Sequence, residues 1–271
     1  MMASVLLAGT MSGCKIEAVS WEDQIALAEQ AYMQQRFDEA ERLFNAAVLK
    51  AEAFQQPDTR LALSLTQLAK LYHAQGRYGN AEPLYLRALG IYELTRGPEH
   101  PDVAATLNNL GVLYRMHGQF SEAKPMLERA LAIKRKTMGS QHPDVALALS
   151  NLGTLYYAQG LYDDAEPLYR EALAIREQAL GPDHVEVAKS LKEYALLLIK
   201  TGRQREAWLM MERVKKIEAK RVGAPFPAKK LGRGESRPVS AVEPAPQPTP
   251  DETDTPAVLD EPKDDDVKDE E

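Results

Sequence analysis

Five histidines and a single cysteine are the residues of this 271-residue chain with the widest chemical reach. His100, His142 and His184 stand 42 residues apart, the first two opening the phrase His-Pro-Asp-Val-Ala. Three imidazoles can hold a metal only if they converge. A fixed step of this length instead sets them at equivalent loop positions, each a turn residue before a helix. His73 and His117 have no Cys or carboxylate at ligand spacing. Cys14 stands alone, which excludes an internal disulfide and a cysteine-based zinc site. It also lacks a structured setting for nucleophilic catalysis. No Gly-rich phosphate loop follows a strand, and no strand pattern is evident. These residues predict no enzyme, no cofactor and no metal.

The chemistry that remains is recognition by amides. At about 100° per residue, Leu107, Leu110, Gly111 and Tyr114 share one side of a helix. Asn108, Asn109, Val112, Arg115 and Met116 fall on the opposite arc, which is expected to lie outside the core. The same arc one step later holds Ser150, Asn151, Thr154 and Tyr157, and one step earlier Thr66, Gln67, Lys70 and His73. In the last copy it holds Lys192, Glu193 and Lys200. Its three central copies carry no Asp or Glu, unlike a plain solvated face. An amide offers both a donor and an acceptor to a peptide unit, and Lys70, Arg115, Lys192 and Lys200 would favour acidic residues in a ligand. The alternative is a polar face that only keeps the molecule soluble.

The elements that position this face repeat. Gly76, Gly118, Gly160 and Gly202 keep the 42-residue step, as do Ala81, Ala123, Ala165 and Ala207. Each unit reads as a helix, a tight turn and a second helix. The glycine closes the first helix with positive φ. Pro83, Pro125 and Pro167 fall in the first turn of the second, where a missing N–H costs little. Gly97, Gly139 and Gly181 return the chain to the next unit. Tyr72, Tyr114 and Tyr156 read as core packing. The expected units are 21–57, 58–99, 100–141, 142–183 and 184–222, the first one residue shorter. The last is an end cap, because Gln204 and Lys215 replace an aromatic and a leucine. No unit buries its apolar face alone, so the fold class is an all-α solenoid of about five repeats.

Leu110-Gly111-x-x-Tyr114-x-x-x-Gly118-x-Phe120-x-x-Ala123, and its copy from Leu152 to Ala165, resemble tetratricopeptide repeats. The 42-residue step, Leu-Asn-Asn-Leu at 107–110 and the His-Pro-Asp phrase resemble the longer variety found in kinesin light chains and many bacterial proteins. The resemblance spans about 22–222 and implies a right-handed α-solenoid. It also implies that the first-helix face lines a concave groove, with Asn108, Asn109 and Asn151 holding the backbone of an extended peptide. Gln67 is a near match to this pattern, and Glu193 departs from it.

The flanks differ from the body. Eleven of the 40 acidic residues but only two of the 33 basic ones lie between Asp251 and Glu271, so the first 250 residues are nearly neutral. That balance argues against nucleic-acid binding. Residues 223–271 are Pro-rich and acidic and are expected to be disordered. Residues 1–20 form the other flank, and the apolar run before Ser12-Gly13-Cys14 resembles a bacterial lipoprotein signal, although Met11 replaces the usual Leu and no Lys or Arg precedes the run. The resemblance implies lipid on Cys14 and a bacterial cell envelope location. Without it a cytoplasmic location is expected. The sequence thus points to a non-catalytic scaffold for peptide segments of protein partners. The alternative is a structural assembly subunit with an idle groove.

Overall fold

The computed structural model describes residues 19–54 and 58–222. Among the described residues the chain forms ten α-helices: α1 (Trp21–Met33), α2 (Phe37–Glu52), α3 (Thr59–Ala74), α4 (Tyr78–Arg96), α5 (Pro101–Met116), α6 (Phe120–Met138), α7 (Pro143–Ala158), α8 (Tyr162–Leu180), α9 (Val185–Lys200) and α10 (Gln204–Val222). Each odd helix pairs with the even helix after it, and each even helix packs on the next odd one. The result is an all-α repeat solenoid. The lipidation proposed at Cys14 and the tail expected from 223 lie outside the described residues.

The recurring histidines turn out to be helix caps. His100, His142 and His184 precede α5, α7 and α9, and each Nδ1 accepts a hydrogen bond from the backbone N–H two residues on, at 3.1, 3.1 and 3.2 Å. Asp58 does the same for α3 at 2.8 Å, and Ser20 caps α1 through the N–H of Asp23. The cap satisfies one of the four N–H groups a helix start leaves open. Pro101 and Pro143 then take the first helical position, where no N–H is needed.

Odd helices end as the glycine step predicts. Gly76 has φ +70°, and the N–H of Arg77 reaches back to Tyr72 O at 2.8 Å, closing a Schellman turn. In the first repeat Gln35 sits in the same turn with φ 58°, the one non-glycine positive φ among the described residues.

Within each repeat a small residue on the odd helix faces a large one on the even helix. Ala69, Gly111 and Gly153 stand at this crossing. A methyl group on Gly111 would lie 2.6 Å from Leu127 Cγ, and one on Gly153 would lie 3.0 Å from the Tyr169 ring. Leu127 is fully buried, and burying such a side chain stabilises the fold by about 1.5–3 kcal/mol. The close crossing packs odd and even helices together; one large apolar cluster runs from Trp21 to Ile175, and two smaller ones fill the last repeat and its junction.

Repeats are also clasped to their neighbours. The Tyr72 hydroxyl donates to Glu41 at 2.9 Å and the Tyr114 hydroxyl to Glu82 at 3.0 Å, each reaching from one repeat to the preceding one. At the next junction Lys124 takes the glutamate's place and packs over the Tyr156 ring, 5.5 Å from its centroid. At the last, Tyr194 and Arg203 share Glu166, at 2.6 and 2.8 Å.

The solenoid is curved, and its curvature follows from which helices meet. Helices α3, α5, α7 and α9 touch in succession, and no comparable contact joins successive even helices. The odd helices therefore line the inner face. The even helices are spread apart on the outer face and reach one another through long ion pairs: Glu52–Arg87 and Glu93–Arg129 at 2.7 and 2.6 Å, Arg135–Glu171 at 2.7 Å, and Glu177–Arg213.

Candidate functional site

The inner face is built from five register positions on the odd helices, so each candidate residue has a counterpart one repeat away. Thr66, Gln67, Asn108 and Ser150 are buried there, although the angles of a single helix placed them outside. The correction has a plain cause. Gln67 and Asn108 are covered by a neighbouring odd helix, meeting Glu29 of α1 and Asn151 of α7, while Ser150 turns towards Arg176 on its own even helix and Thr66 lies against Tyr92 on its own. Helix angles carry no information about these neighbours.

Burial gives these side chains internal partners. Gln67 Nε2 donates to Glu29 at 2.5 Å, Asn151 Nδ2 donates to Asn108 Oδ1 at 2.8 Å, and Thr66 Oγ1 donates to the carbonyl of Ala62. The Asn108–Asn151 bond ties α5 to α7, and Asn109 is half-buried. Thr154 Oγ1 accepts from the Tyr169 hydroxyl at 3.1 Å. The Tyr157 ring packs tilted against that of Tyr162, with centroids 5.5 Å apart.

A second layer joins α3, α7 and α9 to their even partners at a separation of 26 residues. Tyr92 lies beside Thr66. Arg176, 4% exposed, donates to Ser150 Oγ at 3.0 Å and also to Ser190, with Glu186 4.0 Å away. Lys192 pairs with Glu218 at 2.7 Å. Lys192 was expected to meet an acidic ligand, but its ammonium is already engaged across its own repeat. Lys134, buried at the same position of α6, donates to the carbonyl of Asp144 at 3.4 Å.

Five ionisable groups then remain along the groove. Lys70 is pushed down to about 8 by burial, with Glu29 only partly opposing the shift. His73 is lowered by burial and by the nearby charge of Arg115, and its Nε2 lies 3.1 Å from the Met116 sulfur. Arg115 is lowered by burial, and its Nε has no hydrogen-bond partner among the described residues. Glu193 is raised by burial, against the pull of Arg176 and Ser150, and its Oε2 likewise has no partner among the described residues. Lys200 is exposed at the end of α9.

The structure thus gathers Lys70, His73, Asn109, Arg115, Asn151 and Tyr157 on one concave surface and takes Thr66, Ser150 and Lys192 into internal pairs. Sequence reasoning missed Glu29 and Arg176. Glu29 stands 41 residues before Lys70, so aligning the first, shorter repeat exposes it. Arg176 is found only from the 26-residue pairing, which no motif announces. Among the described residues no three of His, Cys, Asp and Glu gather as a metal site would require.

A curved solenoid of helix pairs with a polar inner face defines a helical repeat scaffold. The particular family follows from comparison: the tetratricopeptide repeat family matches residues 21–93, 60–136 and 139–217, and the chain belongs to it. The crystal structure of BtubC (BKLC) from P. vanneervenii is 27% identical with a TM-score of 0.67, over 82% of this chain and 87% of that one. A Podosopora anserina putative kinesin light chain with nearly identical TPR-like repeats is 28% identical with a TM-score of 0.63, over 75% and 97%. The repeats are therefore of the kinesin-light-chain-like type. A Rap protein complexed with Competence and Sporulation Factor shares the fold at 19% identity and a TM-score of 0.64, over 75% of this chain and 55% of that one. No curated protein matches the chain by sequence.

Proposed function

We propose that this chain is a non-catalytic scaffold that holds an extended segment of a partner protein against the concave face of α3, α5, α7 and α9. The tetratricopeptide repeat fold is that of an interaction scaffold. The observation that supports the groove as the contact surface is its set of charged side chains without close partners. Arg77, Arg87, Arg129, Arg135 and Arg203 each hold a carboxylate at 2.6 to 2.8 Å. Arg115, on the inner face, holds none among the described residues. Buried polar groups are ordinarily satisfied, and an exception calls for a ligand or a cost. A Rap protein of similar fold is described in complex with the Phr* peptide, which supports the same use of the surface here.

The second reading, an assembly subunit, is favoured by Leu49 and Leu94, apolar and 69% and 74% exposed on α2 and α4. Photo-crosslinking separates the two. A photoreactive residue at Asn109 should trap the partner while one at Leu94 does not, and the reverse result would make the outer face the interface.

Membrane attachment through lipid on Cys14, in a bacterial envelope, is part of the same proposal and rests on the Ser12-Gly13-Cys14 signal. No helix among the described residues is long and apolar enough to cross a membrane. Fatty-acid labelling of the native chain and of Cys14→Ser tests it. Label on the native chain alone supports the anchor, whereas label on neither removes it.

A further inference from the structure

The last repeat ends on a face that the next odd helix covers in every earlier repeat. The interior junctions show which side chains that face uses. The Tyr114 hydroxyl reaches across to Glu82, and the Tyr194 hydroxyl to Glu166. One turn further along the even helices, Tyr85, Leu127 and Tyr169 are buried. Tyr169 also meets Thr154 of its own odd helix at 3.1 Å. Advanced by one 42-residue step, the place of Glu166 is taken by Trp208, that of Tyr169 by Met211 and that of Thr154 by Leu196. Ile199 stands one turn beyond Leu196 on the same side of α9. These four side chains therefore form one cluster at the open end.

An end cap is expected to be more polar than the interior faces it terminates, and half of this one is. Lys215 is exposed, and Glu218 is exposed and pairs with Lys192. The other half runs the opposite way. Trp208 replaces Glu82, Lys124 and Glu166, and Leu196 stands where the interior has Lys70, Val112 and Thr154. Leu196 is 47% exposed, and Ile199, Trp208 and Met211 are only half-buried. An apolar cluster left open beside a polar rim marks a place where something docks.

The sequence after α10 supplies the occupant. Gly97, Gly139 and Gly181 close α4, α6 and α8 with positive φ and turn the chain back over the face. One step on, the same place holds Gly223, and Phe226-Pro227 stand where His100-Pro101 and His142-Pro143 open the odd helices. The turn is kept, but Gly232 and Gly234 then interrupt any helix. We propose that residues 223–231 return across the open end as an extended strap, with Phe226 and Leu231 as its apolar anchors. Along α10, Glu218 and Met211 lie about 6 and 16 Å back from Val222, at about 1.5 Å per residue. From Pro227 an extended chain covers about 7 Å to Lys229 and about 13 Å to Leu231, at about 3.3 Å per residue. Lys229 thus falls beside Glu218, and Leu231 comes within a side chain's length of Met211, Leu196 and Trp208. Attachment to the same chain gives this segment an effective concentration that a second copy lacks. The stretch expected to be disordered then begins at 232.

Tryptophan fluorescence tests this in the full chain. Of the two tryptophans, Trp21 is buried and its Nε1 donates to Ser64 at 2.9 Å, so acrylamide quenching reads chiefly Trp208. Phe226→Ser combined with Leu231→Ser should raise that quenching severalfold and shift the emission to the red. Amide protection in hydrogen exchange should fall with it in α10 and the second half of α9. Phe226→Tyr with Leu231→Met keeps the apolar contacts and should behave as the parent chain. Two results would overturn the proposal. Equal quenching of the parent and the serine variant at every protein concentration would show that the strap does not cover Trp208. Quenching that rises on dilution to the same extent in both chains, with a dimer in sedimentation velocity, would assign the face to a second copy. Both substituted residues lie outside the ten helices, and circular dichroism of each variant checks that the solenoid is intact.

Discussion

At the scale of single residues, Lys70 shows what the groove asks of the fold. Burial disfavours its charged form and lowers its pKa to about 8, and Glu29 offsets this only in part. The folded pKa lies below the unfolded one, so between about 8 and 10.5 the unfolded chain binds more protons. Lys70 therefore makes stability rise as pH rises through that window. This is the opposite of an ion-paired lysine, whose contribution fades there. Lys70→Met keeps the length and apolar stem and removes the charge. It should stabilise the chain by about 1–3 kcal/mol near pH 7, by analogy with buried charges replaced by apolar groups, and flatten the rise. The same variant should bind acidic peptides more weakly. Thermal melts from pH 7 to 10.5 check the first part: a Lys70→Met chain no more stable than the parent would show that the ammonium is well solvated after all.

At the scale of helices, regularity was legible and its exceptions were not. The 42-residue step displayed the helix pairs, the glycine ends and the small-to-large crossings, because each needs a particular residue type at a particular place. Gln35 shows the limit. It occupies the turn that glycine fills at Gly76, Gly118, Gly160 and Gly202, with φ 58°. A side chain in this conformation costs about 1 kcal/mol. Gln35→Gly should raise stability by up to that amount, with protection of α1 and α2 amides in hydrogen exchange rising most. No gain would mean that the Gln35 side chain has contacts offsetting the strain.

The junctions between helices carry information that a repeat count hides. Three outer ion pairs run from Glu in one even helix to Arg in the next, as in Glu52–Arg87, Glu93–Arg129 and Glu177–Arg213. The pair between the third and fourth repeats is reversed, Arg135–Glu171. At that junction Lys124 also stands where Glu41, Glu82 and Glu166 stand elsewhere. Near-identical repeats can dock on the wrong neighbour. Placing the fourth repeat on the second would set Glu171 against Glu93, and placing the fifth on the third would set Arg213 against Arg135. Each exposed pair contributes at most about 1 kcal/mol, so their main effect is on register. Exchanging them, Arg135→Glu with Glu171→Arg, should change equilibrium stability by under about 1 kcal/mol. It should also increase slow refolding and concentration-dependent dimers, read by stopped-flow fluorescence and gel filtration. Unaltered refolding would show that register is set by the core alone.

At the scale of the whole molecule, the groove and the acidic end of the chain are complementary. The inner face carries Lys70, Arg115 and Lys200 against Glu193, while residues 251–271 carry eleven acids and two lysines. The candidate face was legible as a polar arc without acids in its middle copies, but its true depth was not, since depth comes from the approach of α3, α5, α7 and α9 to one another. Only after that approach is known does it follow that Lys192 pairs with Glu218 while, among the described residues, no carboxylate pairs with Lys70 or Arg115. An acidic segment joined to the same chain would be present at high effective concentration and would compete with an acidic partner for Lys70. Deleting 224–271 should then raise the affinity of a groove-binding acidic peptide severalfold at low salt. The difference should shrink as salt screens the charges, over a Debye length of about 8 Å at physiological strength. A neutral peptide should gain less from the deletion. Equal affinities of the full and shortened chains for the acidic peptide at low salt would show that the two charged regions do not meet.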